Sequence, residues 1–166
     1  MFKGFGMLVL LVSGLSSGAK SQVQVVVPAR QYKPFERIPA KVVNSGDRPI
    51  TYCVEYGQTS PKAIGDSEST PIPFCVQWKP NGKWGTLLIG PDVGSARITE
   101  VLPARQSHEY PFRLMATGQM RLVLEYLPVD DPTVRCSGPL EHPRTVKSDV
   151  FTIRQDPPGK RHLAEP

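Results

Sequence analysis

Three histidines and three cysteines are the residues of this chain best suited to chemistry. The histidines are His108, His142 and His162, and no Gly-x-Ser-x-Gly motif supplies a nucleophile for them. His108 and Glu109 are adjacent in a strand-like segment, so their side chains should point to opposite faces rather than act as a pair. The sequence therefore predicts no catalytic residues and no enzymatic activity.

The cysteines, Cys53, Cys75 and Cys136, have spacings that suit a structural role. None belongs to a Cys-x-x-Cys motif or has a neighbouring histidine, which disfavours a metal site or a redox-catalytic site. Three thiols allow three pairings and leave one thiol over. Cys53–Cys75 would join two consecutive strands, and Cys53–Cys136 would tie an early strand to a late loop; which two of the three cysteines pair remains open.

Carboxylates on candidate loops are the remaining groups whose chemistry suits a bound ligand. They are Asp66, Glu68, Asp92, Asp130 and Asp131. They lack the alternating oxygen ligands and the turn glycine of a calcium loop. We therefore predict no metal site and no cofactor.

Trp78 and Trp84 flank residues 80–83, whose Asn-Gly step suits a tight hairpin turn. Aromatic side chains on either side of such a turn commonly pack across the strand pair. We expect this packing role rather than an aromatic platform for a ligand.

Residues 1–21 have the pattern of a secretory signal peptide. Lys3 is positively charged, residues 5–15 are apolar but too short to span a bilayer, and small residues suit cleavage near residues 19–21. An uncleaved anchor or a buried first strand is the alternative. Export to the periplasm or the extracellular space is expected, with no membrane span after cleavage and in a compartment that permits disulfides.

The remaining chain has the size and composition of one soluble domain. Its 18 prolines and 14 glycines leave little room for long helices. The net charge of +5 is scattered rather than gathered into a stripe with aromatic residues, so no nucleic-acid partner is expected.

Nine short segments rich in β-branched and aromatic residues, bounded by turn residues, predict strands. They are residues 23–27, 37–43, 49–56, 73–79, 84–89, 97–102, 107–115, 119–127 and 145–153. In residues 119–127 the alternating Met120, Leu122, Leu124 and Tyr126 predict a central core strand. Residues 145–153 are predicted to alternate between the two faces throughout their length. This pattern predicts an all-β fold over residues 22–154, an antiparallel β-sandwich with a small barrel as the alternative. Residues 58–72 and 128–143 are predicted as exposed loops, and residues 155–166 as a disordered tail.

The order of these strand and turn motifs resembles the immunoglobulin-like domains of secreted bacterial proteins. The matching positions are Arg37–Asn44, Asp47, Pro49-Ile50, Gly82, Trp84, Val101–Pro103, Glu109–Phe112, Gly118 and Arg121-Leu122. The resemblance implies an immunoglobulin-like sandwich of seven to nine strands that is usually non-catalytic. A fainter resemblance, carried by Asn44, the segment 82–84 and the Gly118 strand, is to bacterial proteinase-inhibitor domains of the same sandwich class.

These features together predict a non-catalytic, exported, monomeric module of the cell envelope, either binding or structural. Its partner would be an unknown protein or glycan, contacted through the loops at residues 58–71 and 128–143. The alternative is a secreted protease inhibitor that uses extended, proline-bounded residues such as 70–73.

Overall fold

The computed structural model describes residues 22–56, 71–87 and 97–155. The predicted signal peptide, most of the predicted loop at 58–72, and all of the predicted tail except Gln155 lie outside the described residues.

Two β-sheets packed face to face, without a helix, form the described part of the chain. Its twelve strands are β1 (Val23–Val26), β2 (Gln31–Tyr32), β3 (Ile38–Asn44), β4 (Ile50–Tyr56), β5 (Pro71–Ile72), β6 (Phe74–Lys79), β7 (Gly85–Thr86), β8 (Arg97–Leu102), β9 (Gln106–Phe112), β10 (Gly118–Leu127), β11 (Arg144–Lys147) and β12 (Phe151–Ile153). The predicted all-β class is confirmed. The structure has three strands more than the nine expected. Two of them are the two-residue strands β2 and β5, and the third arises because the last predicted strand is divided into β11 and β12.

The small sheet has the order β1, β3, β9, and the other nine strands form the large sheet. In the large sheet, β10 pairs with β6 and β4 along one edge and with β11 and β12 along the other. The side chains of alternate β10 residues are buried; they are Met120, Leu122, Leu124 and Tyr126. This is the alternation that identified the segment as a central core strand.

Aromatic side chains fill the space between the sheets. Phe74 of the large sheet lies with its ring centroid 5.8 Å from that of Tyr110 and 6.4 Å from that of Phe112, both in the small sheet. Tyr32 and Phe151 pack edge to face at 5.9 Å within the large sheet. These contacts place the core where the alternating patterns of β6 and β9 converge.

The first strand region divides between the two sheets. β1 pairs antiparallel with β3, but β2 pairs in parallel with β12 in the large sheet. Pro28, between them, lacks the N–H that a continued strand would need. The β2–β12 pair is the one parallel pairing among the described strands.

The last predicted strand, residues 145–153, is interrupted at Ser148. The Leu122 N–H donates to Ser148 Oγ at 2.9 Å, and the Ser148 N–H donates to the Leu122 carbonyl at 2.9 Å. The interruption shifts the alternation of side chains. Val146 and Phe151, which a continuous strand would place on opposite faces, are half-buried and buried, respectively. A strict alternation through all nine residues is therefore wrong.

Two prolines face each other in the small sheet, Pro39 on β3 and Pro111 on the edge strand β9. Neither has an N–H to donate, so this position of the register is a non-hydrogen-bonded pair. The backbone groups of Ser107, Glu109 and Pro111 accordingly point away from β3, toward the edge that has no partner among the described strands.

Gly118 opens β10 with a φ of 122°, and a Cβ at this position would lie 2.8 Å from Trp78 Nε1. The indole cannot yield freely because its Nε1 donates to the Thr117 carbonyl at 3.0 Å. Gly118→Ala should therefore lower the free energy of unfolding by about 1–3 kcal/mol in urea denaturation.

Gly85→Ala is the matched control, since a Cβ there meets nothing within 4 Å. Its effect should stay below about 0.5 kcal/mol. Equal losses in the two variants would contradict the proposed strain at Gly118.

Candidate functional site

β4 and β8 position two candidate sites, because alternate side chains of these paired strands face opposite sides of the large sheet. Tyr52 lies opposite Glu100 in the register, and the side chains of both contact Tyr110 of the small sheet. The next pair, Cys53 opposite Thr99, faces the outer side and contacts Cys136.

The inner site is a chain of hydrogen bonds that joins the two sheets. Tyr110 Oη donates to Glu100 Oε2 at 2.6 Å. Because this uses the single proton of Tyr110, the Tyr52 hydroxyl, 2.6 Å away, donates to Tyr110 Oη. Tyr52 is 0% exposed and Tyr110 is 3% exposed, so these bonds satisfy groups that water does not reach.

His108 continues the chain to the surface. Its Nδ1 lies 2.7 Å from Glu100 Oε1, and its ring stacks on Tyr110 with the centroids 4.5 Å apart. With Nδ1 donating to the carboxylate, Nε2 is the remaining acceptor of a neutral imidazole. Glu109 belongs to a different contact, with Lys41 at 3.5 Å and Arg37 at 3.7 Å.

A histidine oriented by a carboxylate can serve as a general base or as one ligand of a metal. Within the described residues, however, no hydrogen bond joins His108 to a serine, threonine or cysteine. No group of three His, Cys, Asp or Glu residues in that part of the chain is placed to hold a metal ion. The geometry of this network suits a link between the sheets.

Burial dominates the electrostatics of the network. It raises the pKa of Tyr52 well above the usual tyrosine value. It raises the pKa of Tyr110 too, and the hydrogen bond to Glu100 raises it further. Both hydroxyls therefore stay protonated in the folded protein at neutral pH.

The outer site is formed by a segment that lies over β4 and β8 on the outer face of the large sheet. We call this segment, residues 128–137, the strap. The Cys53–Cys136 disulfide joins it to β4, with the Cα atoms 5.6 Å apart. Thr51 Oγ1 donates to the Val129 carbonyl at 2.7 Å, and Thr99 Oγ1 donates to the Val134 carbonyl. The first part of the strap is thus held by β4, and its last part by both β4 and β8.

A cleft of about 860 Å³ lies between the strap and β8. Its lining residues are Arg97, Thr99, Pro132, Thr133, Val134, Arg135, Cys136 and Ser137. Arg97 forms an ion pair with Glu55 of β4. Arg135 is exposed and forms no ion pair within the described residues. The cleft thus has one wall that is anchored by a disulfide and two guanidinium groups in its lining.

The cysteine pairing that the sequence left open is Cys53–Cys136, and Cys75 is the free thiol. Cys75 is exposed on β6, yet desolvation by neighbouring atoms raises the pKa of its thiol, which makes it a weak nucleophile at neutral pH. The bond lies on the outer face of the large sheet and does not cross the core.

Other candidates from the sequence lie apart. His142 is exposed on the segment that follows the strap, and Asp131 bonds the N–H and hydroxyl of Thr133, which lowers its pKa. Asp66, Glu68, Asp92 and His162 lie outside the described residues. Among the residues described, no helix is long and apolar enough to cross a membrane.

The two tryptophans occupy the opposite end of the large sheet from the strap. Trp78 is half-buried against the core, and its Nε1 is bonded to the Thr117 carbonyl. The guanidinium carbon of Arg121 lies 4.1 Å from the Trp84 ring centroid, and Lys79 Nζ lies 5.7 Å from it. Cation–π contacts with the protein's own side chains therefore cover Trp84.

Sequence reasoning missed the inner site, and for the outer site it indicated only the loop at residues 128–143 and one of the candidate disulfides, because each site depends on contacts between distant segments. One local signal was present for the inner site. In β8 the alternation of Ile98, Glu100 and Leu102 puts a carboxylate among apolar positions, which marks Glu100 as a residue in need of a partner. No local signal indicated that Arg97 and Arg135 share a cleft.

When the chain is compared with known proteins, it matches no protein-family model, no curated protein and no solved structure.

The disulfide should be a major source of stability. The two cysteines are 83 positions apart in the sequence, so the disulfide closes a long loop in the unfolded chain. Replacing both Cys53 and Cys136 with alanine removes this constraint on the unfolded state. We expect the free energy of unfolding, from urea denaturation without reductant, to fall by about 2–5 kcal/mol. Cys75→Ala, at an exposed thiol, should change it by less than about 0.5 kcal/mol. A similar loss in Cys75→Ala would contradict the pairing.

Tyr110→Phe should destabilise the protein because it removes the acceptor for the Tyr52 proton and the donor to Glu100. Leaving these groups without partners costs about 1–3 kcal/mol in the free energy of unfolding. Tyr126→Phe is the control, since its hydroxyl bonds none of the described residues. The same variant pair tests pH dependence.

The raised pKa values of Tyr52 and Tyr110 make the folded state hold protons that the unfolded state loses above about pH 10. Stability should therefore be intact below that pH and fall above it, by about 1.4 kcal/mol per pH unit for each tyrosine. Urea denaturation between neutral and alkaline pH should show a shallower fall for Tyr110→Phe. An unchanged slope would mean that Tyr110 ionises normally.

Proposed function

We propose that this protein is an exported, non-catalytic binding module of the cell envelope, with an immunoglobulin-like sandwich as its scaffold. The strap and its cleft are the contact surface. The observation that carries this proposal is the fastening of the strap to β4 and β8 by a disulfide and two threonine hydroxyls.

The side chains that hold the strap lie outside the hydrophobic core of the sandwich. Cys136 and Val134 hold the backbone on both sides of Arg135, whose side chain is nevertheless exposed. Rigid backbone beneath exposed polar side chains lowers the conformational entropy lost on binding. This arrangement is typical of recognition loops on β-sandwiches.

Export is supported by the sequence pattern of residues 1–21 and by the disulfide, which is compatible with an oxidising compartment. The immunoglobulin-like assignment is supported by the resemblance in the order of motifs and by the two-sheet sandwich.

The protease-inhibitor alternative gains no support from the described residues. Of the segment at residues 70–73, the pair Pro71 and Ile72 forms β5, which pairs with β4, and Ile72 is 6% exposed. A segment inserted in a protease would need to project from the sheet, so we retain the binding module alone.

Affinity capture tests the proposal. The mature chain, residues 22–166 with its disulfide intact, is immobilised and exposed to envelope extract, and bound material is identified by mass spectrometry. Wild type and Arg144→Ala, a control at an exposed arginine of β11, should retain the same partner. Arg135→Ala should retain several-fold less, because it removes the exposed guanidinium of the cleft.

Two results would count against the proposal. Equal recovery on wild type and Arg135→Ala would exclude the cleft as the contact surface. Recovery of a chemically altered product with turnover would show an enzyme instead of a binding module.

A further inference from the structure

We propose that the cleft binds an oxyanion, the carboxylate or phosphate group of an acidic envelope polymer, between Arg97 and Arg135. This inference rests on the proposed function and adds the chemical class of the ligand.

The lining of the cleft has the charge that such a ligand needs. Among the described residues, eight line the cleft; they include two arginines and three hydroxyl-bearing side chains, and none of the eight is acidic. A cation would find no carboxylate among these eight residues, and an apolar ligand would meet few hydrocarbon side chains other than Pro132 and Val134. The composition therefore favours an anionic ligand.

Arg135 is the principal binding group. Its backbone is held through Val134 and Cys136, yet its guanidinium forms no ion pair within the described residues. A guanidinium has five N–H donors in a planar fork that matches carboxylate and phosphate oxygens. The fold thus presents, on backbone that is held at both neighbouring residues, a guanidinium with no ion-pair partner among the described residues.

Arg97 has a secondary role. One of its Nη atoms forms an ion pair with Glu55 Oε1, which orients the guanidinium and leaves its other N–H groups without a partner among the described residues. The Glu55 charge also offsets part of the positive charge of Arg97, so the larger share of the attraction comes from Arg135.

The hydroxyl groups of the cleft are not equivalent. Thr99 donates to the Val134 carbonyl, and Thr133 donates to Asp131 Oδ1 at 2.6 Å. Ser137 Oγ forms no hydrogen bond within the described residues, so it is the hydroxyl available to a bound oxyanion.

Calorimetric titration of the mature chain tests the inference with three probes. Polygalacturonate presents carboxylates, inorganic polyphosphate presents phosphates, and dextran is a neutral polymer. We expect one or both anionic probes to bind, dextran not to bind, and added salt to weaken binding by screening. The stronger of the two anionic probes identifies the source of the oxyanion.

Variants localise the binding. Arg135→Gln should weaken it about tenfold, the effect of losing one charge-assisted contact. Arg97→Gln should have a smaller effect, and Arg135→Lys should recover part of the loss because it restores charge without the planar fork. Arg144→Gln, with the same change in net charge away from the cleft, should bind as wild type does.

Three outcomes would overturn the inference: no binding of either anionic probe, equal binding of dextran, or equal weakening in Arg144→Gln and Arg135→Gln. The capture experiment separates this failure from failure of the proposed function. If a partner is retained in an Arg135-dependent manner while both anionic polymers fail to bind, the binding module stands and the oxyanion is wrong.

Discussion

The register between β4 and β8 is the constraint on which both faces of this part of the sandwich depend. It places Tyr52 beside Glu100 on the inner side and Cys53 beside Thr99 on the outer side. A slip of one residue would turn the tyrosine outward and the half-cystine into the core, since side chains alternate along a strand. One pairing therefore both links the two sheets and anchors the strap.

The fold was predictable where side-chain alternation is uninterrupted. The pattern of β10 identified the central strand because every second residue is buried in the same core. The same reasoning failed across residues 145–153, where Ser148 bonds the backbone of Leu122 and shifts the alternation. β2 and β5 were missed because two-residue strands are defined by their partners and carry no period of their own.

The candidate sites were less predictable because their contacts join segments far apart in the chain. The partner of His108 is Glu100 on another strand, not the adjacent Glu109, and only the sandwich geometry brings them together. The sequence left the disulfide pairing open among three cysteines. The pairing is Cys53–Cys136 because the strap places Cys136 beside β4. In the sequence, Arg135 is one of many scattered charges. Its position is distinctive only in the fold, where Thr99 holds Val134 and Cys53 holds Cys136.

The paired prolines of the small sheet affect how copies of this protein meet one another. Pro111 occupies a position on β9 whose backbone faces the open edge, and there it offers an incoming strand no N–H. Glu109, the next residue on that edge, adds a charged side chain. Such edges resist strand-to-strand polymerisation, so a high local concentration at a surface need not lead to aggregation through β9.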